Sequence, residues 1–444
     1  MRNLLREGMI AVFLGELMIT FRRLAACATV LVACIPPSLA FAQASDCTIS
    51  PTGNSIALQA MNSKGNAKSD VVNSYHLKVL VNDRDTTQSA NWGIVLVDTG
   101  SNTLVIPAWR IKGFPTTLPT DNSQPMDKSG LVISGKLHTA YSSSGFGYNG
   151  YLVEAPVTVK GLYDASFTAE KVHVFAVTET CGKSDRCVPA TPTNTASLGM
   201  MGVGFQPTEF EPAKSPMTNN SGSAPVTAVQ TNVFEYAPGV KTQGWIFHRD
   251  GHIVVGLNTK TTKDFTSWAP MVQVSAGKMS PEGCVVVTTN GPKGAATPQK
   301  LCGSMLVDTG MSAMNLWVQS EKSALAAICR LPLTSPSAGF HGVQFPSSTR
   351  IEIFSPGRTA QVLNYSFKTV PLAKKGAPIV SHPAGTPNGT FCTDDSASSP
   401  SEVANNPEAG HFNTGRMPLL VSSLARNESC GTFAWKSQVI QSTK

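Results

Sequence analysis

The sequence predicts an all-β protein built from two similar halves, and three observations carry that prediction. Short strand-like runs separated by turn residues fill the chain. Long amphipathic helical periods are scarce. One tripeptide, Asp-Thr-Gly, occurs twice with matching flanks, first in IVLVDTGSNTLVIP and again in SMLVDTGMSAMNLWV.

From the start of the chain, Arg22 and Arg23 precede an apolar run, LAACATVLVACIPPSLAFA, that ends at Ala42-Gln43-Ala44. A basic n-region, an apolar h-region and an A-x-A exit are the parts of a secretory signal peptide, expected over 1–44. Pro36 and Pro37 argue against a stable spanning helix there. The arginine pair is a loose match to a twin-arginine export signal, and Met18 is an alternative start. Nothing downstream is apolar for long enough to span a bilayer. The expected mature protein is secreted or periplasmic, with no stable membrane insertion after cleavage.

The strand candidates follow in order: 75–81, 92–97, 151–159, 171–177, 252–257, 284–289 and 349–354, each with turn punctuation. The best helical candidate is SEKSALAAICRL, 320–331, directly after the second Asp-Thr-Gly. Segments 206–226 and 382–409 are rich in Pro, Ser, Asn and Gly and read as surface loops. Charged residues make up 14% of the chain, and the net charge of +7 includes +2 from the leader. Lys and Arg are scattered, without a basic cluster interleaved with aromatics, so nucleic acid is not an expected partner.

Two of the ten cysteines, Cys27 and Cys34, leave with the leader. The remaining eight form an even set, which in an exported chain reads as disulfides. Cys181 and Cys187 close the short loop CGKSDRC, and Cys284 and Cys302 flank a hairpin-like stretch around Asn290-Gly291. The pairing of Cys47, Cys329, Cys392 and Cys430 stays open. A zinc site is disfavoured because no two cysteines have C-x-x-C spacing. His248 and His252 in FHRDGH have i,i+4 spacing, but Gly251 and the following IVVGL predict a turn into a strand rather than a metal-holding helix. No metal or cofactor is expected. No G-x-S-x-G or Walker motif occurs, and the glycines at 199–204 have the wrong order for a dinucleotide fingerprint.

The repeat organises the whole chain. Asp98 and Asp308 stand 210 residues apart, each at the end of an aliphatic run and before another apolar run. Asp-Thr-Gly arises by chance roughly 0.1 times in a chain of this length, so two copies with matching flanks call for a common cause.

These residues resemble the pepsin-like aspartic peptidases, whose two β-rich lobes each supply one Asp-Thr-Gly to a shared cleft. The resemblance extends to HTAYSSSGFGYNGYLVEAPVTVKGL, which matches the family's flap hairpin, with Tyr141 43 residues after Asp98. It extends also to SLGMMGVGF, where Met200-Met201-Gly202 matches the hydrophobic–hydrophobic–Gly segment that threads beneath the catalytic loop. The stretch 251–272 is similar to the connector between lobes.

The resemblance implies a bilobal acid-protease fold, a cleft between two β-barrel-like lobes, with an N-terminal lobe over 45–266 and a C-terminal lobe over 267–444. It implies a monomer that hydrolyses polypeptide substrates at acidic pH. Asp98 and Asp308 would be the catalytic pair. Thr99 and Thr309 would lock the two loops together, and Gly100 and Gly310 would allow close approach and donate N–H groups to the carboxyls. Ser101 would support the first aspartate, and Tyr141 would cap the cleft. Trp109 reads equally as core or cleft. Between Ser45 and about Gly65 the only basic residue is Lys64, so no basic propeptide is expected.

Two departures stand out. Met311 replaces the hydroxyl residue expected to support Asp308, and Ser312, one position on, could serve only in a rearranged loop. The second hydrophobic–hydrophobic–Gly segment has its best candidate in RMPLLVSSLA, 416–425, which lacks glycine. Both departures favour an alternative: a catalytically impaired pepsin-fold protein that binds its partner without cutting it.

Overall fold

Strands form where the residue pattern asks for them. In Leu363–Lys368, buried Leu363, Tyr365 and Phe367 alternate with exposed Asn364, Ser366 and Lys368, the period of two of a sheet covered on one face. Gly93–Asp98, which carries the first aspartate, is instead buried or half-buried throughout, as a strand inside a covered sheet should be. The computed structural model describes residues 48–66, 74–88, 91–118, 130–141, 146–181, 187–195, 198–204, 211–212, 229, 231–275, 278–289, 297–318, 343–345, 349–356, 362–369, 390–394 and 410–436. The leader expected over 1–44 and the helix expected over 320–331 lie outside these residues.

The chain is all-β, as the sequence predicts. Among the described residues helical structure is confined to short 3-10 turns such as Ala108–Arg110 and Met417–Leu420. All seven predicted strands are present; those predicted at 151–159, 171–177 and 284–289 are longer than expected, and the other four agree to within a residue at each end.

Three large sheets hold the fold together. The first has nine strands, in the order Glu211–Pro212, Leu137–Tyr141, Phe146–Lys160, His76–Val81, Gly93–Asp98, Met200–Gly202, Leu104–Pro107, Ser166–Cys181, Cys187–Pro189. Eight strands form the second, in the order Val343–Gln344, Thr390–Asp394, Met314–Val318, Gly410–Asn413, Thr297–Leu306, Glu282–Thr289, Arg350–Ser355, Leu363–Lys368. A third, six-stranded sheet joins Ile56–Gln59, His252–Leu257 and Thr242–Phe247 to the late strands Leu424–Asn427 and Thr432–Trp435, with Trp268–Pro270 at its edge.

Both predicted loop segments contain a strand. Glu211–Pro212 pairs with Leu137 and His138, and Thr390–Asp394 pairs in parallel with Met314–Val318. Neither is long enough to show a period of its own; partners distant in sequence supply the pairing.

Two buried indoles tie the third sheet to the other two. Trp245 Nε1 donates to Val203 O at 3.0 Å in the first half, and Trp435 Nε1 donates to Ser355 Oγ at 3.0 Å in the second. Indole N–H groups buried this deeply need an acceptor, so these bonds fix where each half sits on the shared sheet. Tyr75, Trp245 and Phe247 pack edge-to-face beside them, with ring centroids 4.9–5.1 Å apart.

The two disulfides read from the sequence are formed. Cys181 bonds Cys187, and Cys284 bonds Cys302, each pair lying at directly opposed positions of neighbouring strands. Cys430 is disulfide-bonded as well.

Candidate active site

Each aspartate is delivered by the same crossed arrangement of strands. In the first half Met200–Gly202 lies parallel to Gly93–Asp98, with Leu96 opposite Met200 and Asp98 opposite Gly202. On its other side the same short strand runs antiparallel to Leu104–Pro107, with Val105 opposite Met200. In the second half Gly410–Asn413 lies parallel to Thr297–Leu306 and antiparallel to Met314–Val318, with Leu306 and Asn315 both opposite Asn413.

Leu306 and Asn315 follow Leu96 and Val105 by 210 residues each, so Asn413 takes the place of Met200 and Gly415 that of Gly202. The second threading glycine is therefore Gly415, in Asn413-Thr414-Gly415, and not in 416–425. That later segment forms the turn Met417–Leu420 and enters the third sheet at Leu424. Gly415 has φ +61°, and an added Cβ would stand 2.5 Å from Ala313 O and 2.8 Å from Met311 O. Its carbonyl accepts the Asp308 N–H at 3.2 Å.

The two loops interlock through their threonines. Each Oγ1 accepts the other's backbone N–H at 3.0 Å. Thr309 Oγ1 donates to Val97 O at 2.6 Å, and Thr99 Oγ1 donates to Val307 O. Both side chains are buried, so each of these donors and acceptors would be costly to leave without a partner. The reciprocal arrangement places the loops face to face within a narrow tolerance.

The glycines set the approach distance. Gly100 N–H donates to Asp98 Oδ1 at 2.8 Å and Gly310 N–H to Asp308 Oδ1 at 2.9 Å. A Cβ on Gly100 would fall 2.7 Å from Asp308 Oδ2, and one on Gly310 would fall 2.8 Å from Asp98 Oδ1. Each carboxyl thus occupies the space that a side chain on the opposite loop would need.

Asp98 and Asp308 are 6% and 8% exposed, and their carboxyls hydrogen-bond each other. Burial above all, then the charge of Asp98 and the bond between the carboxyls, holds Asp308 well above the ordinary carboxylate range. Asn413 and the Gly310 N–H act in the opposite direction.

Support for the pair is asymmetric and differs from the sequence expectation. Ser101 Oγ is buried and makes no hydrogen bond among the described residues, so it does not hold Asp98. Among the described residues, Asp308 accepts from Gly310 N–H and Asn413, not from Met311 or Ser312. Asn413 Nδ2 donates to its Oδ2 at 2.7 Å, and the Met311 sulfur lies 3.4 Å from that same nitrogen. Arg416, half-buried, is also near enough to feel the Asp308 carboxylate; burial pushes its guanidinium down and that carboxylate opposes the shift.

The other predicted residues fall as follows. Tyr141 ends the strand Leu137–Tyr141 opposite Phe146, at the tip side of the hairpin read as a flap; its side chain lies outside the described residues. Trp109 is 42% exposed, and its indole donates to Thr195 Oγ1 at 2.9 Å, so it is not a core residue. His248 and His252 flank a turn, and His252 starts a strand with its ring 3.0 Å from Asp250.

No family model matches the chain, and no curated protein matches it in sequence. Among solved structures it is similar to an aspartic proteinase from Irpex lacteus, with 14% identity, a TM-score of 0.47, and coverage of 88% of this chain and 99% of that one.

Proposed function

We propose that the chain is an exported aspartic endopeptidase that hydrolyses peptide bonds in polypeptides at acidic pH. The observation that carries this reading is the meeting of two Asp-Thr-Gly loops from separate sheets, with their carboxyls hydrogen-bonded and their threonines reciprocally locked.

The chemistry follows from two carboxyls that cannot both ionise cheaply. They hold one proton between them and titrate as a pair. The ionised member of the pair takes a proton from the attacking water, and the protonated member hydrogen-bonds the scissile carbonyl; a proton then passes to the leaving nitrogen. No covalent intermediate forms.

Gly415 and Asn413 support the peptidase reading over a non-cutting binding protein. The second loop has its threading glycine, and Asp308 has its donor, both supplied by one tripeptide. Two disulfides fit an oxidising compartment, and the secreted or periplasmic location is proposed on that ground and on the leader. Among the described residues no helix is long and apolar enough to cross a membrane. The proposed occupant of the cleft is an extended polypeptide, bound by a monomer.

Incubation of the folded, oxidised protein with a denatured protein substrate tests the reading. Acid-dependent cleavage blocked by pepstatin is expected. Absence of cleavage at every pH from 2 to 8 would contradict it.

A further inference from the structure

We infer that Asn413 is a positioning residue that sets the titration of the candidate Asp pair; this rests on the peptidase reading for its catalytic consequence. Its amide is buried, 2% exposed, and used at both ends. Nδ2 donates to Asp308 Oδ2 at 2.7 Å, and Oδ1 accepts the Gly415 N–H at 2.7 Å. The second bond fixes which end of the amide faces the aspartate, because an N–H can only be met by the oxygen. The donor is therefore aimed at Asp308 by the same glycine that threads beneath the loop.

The chain makes this arrangement in the second half alone. Residue 200, in the corresponding place of the first half, is methionine and cannot donate. Apart from the contact between the carboxyls, Asp98 has the Gly100 N–H as its described donor, while Asp308 has two, Gly310 N–H and Asn413. The two carboxyls of the repeat are thus made chemically unequal.

Among the described residues Asp98 bears on Asp308 with like charge and Arg416 with opposite charge, and Arg416 in turn interacts electrostatically with Tyr75. Asn413 adds a neutral donor that favours the ionised carboxylate. Its removal moves the loss of the shared proton to higher pH, so the alkaline limb of the rate profile moves up.

Two variants test this. Asn413→Leu removes both ends of the amide at similar volume. Asn413→Asp keeps an acceptor for the Gly415 N–H but loses the donor. The alkaline limb of kcat/KM is expected to rise by about one pH unit in Asn413→Leu and by more in Asn413→Asp, with kcat down about tenfold and KM little changed. Carbon-13 NMR of the Asp308 carboxyl is read in parallel and should show the same displacement of its titration, whatever the activity.

Unchanged titration in Asn413→Asp would overturn the inference and leave Asn413 a purely structural bond to Gly415. Should Asn413→Leu fail to unfold cooperatively, Asn413→Asp decides alone. A wild type that cuts nothing, yet whose Asp308 titration moves in the variants, would sink the peptidase reading and leave this one standing.

Discussion

Gly100 lies where the two halves come closest, and a single methyl group there tests the geometry. With an added Cβ only 2.7 Å from Asp308 Oδ2, one loop must retreat. Gly100→Ala is expected to lower the rate of cleavage by more than about 100-fold, since a displacement of an ångström at reacting groups has that cost. A kinetic assay beside a thermal melt separates this from unfolding. The raised Asp308 carboxyl predicts a second outcome. A folded-state pKa above the unfolded one contributes stability that is present below the unfolded value, near 4, and lost as pH rises through the folded value. At pH 7 the pair is therefore a burden on the fold. Asp308→Asn should raise unfolding free energy by about 1–2 kcal/mol at pH 7 and by nearly nothing at pH 3, measured by urea titration at both. Equal gains at both pH values would contradict the assignment of the burden to this proton.

At the scale of elements, the threonine lock and the hairpin disulfide are the separable supports. Thr99→Val removes the donor to Val307 O and the acceptor for the Thr309 N–H, leaving two buried backbone groups without partners. A loss of about 2–4 kcal/mol is expected. Thr309→Val should cost as much, and the double variant less than the sum, because both act on one interlock. In the second sheet, replacing Cys284 and Cys302 by serine opens a link with a sequence separation of 18 and is expected to cost about 3 kcal/mol by chemical denaturation. How much of these elements could be read beforehand follows from their physics. The strands with strong β-branched runs and the two cross-strand cysteine pairs depend on nearby residues, and the sequence displays them. Thr390–Asp394 and Glu211–Pro212 depend on distant partners and do not show. Asn413 was hidden twice over: it lies 105 residues from Asp308, and Asn-Thr-Gly does not look like an apolar pair before glycine. A usable signal existed in the spacing, since Gly202 follows Asp98 by 104 residues and Gly415 follows Asp308 by 107. Ser101 erred the other way. Its position in the motif promised a bond to Asp98, and position alone does not fix where a hydroxyl points.

Over the whole molecule, two sheets each present one carboxyl, and a third sheet shared by both halves keeps them in register through Trp245 and Trp435. The repeat in the sequence thereby becomes a single site, with its two aspartates made unequal by one amide. The central claim is that Asp98 and Asp308 act as one proton-sharing pair. The most direct test is the rate of cleavage of a denatured protein from pH 2 to 8 by wild type, Asp98→Asn and Asp308→Asn, each shown to be folded and oxidised. An acid-peaked, bell-shaped profile in the wild type, abolished in both variants, is the predicted result. Cleavage that survives in either variant with its profile unchanged would contradict the shared pair.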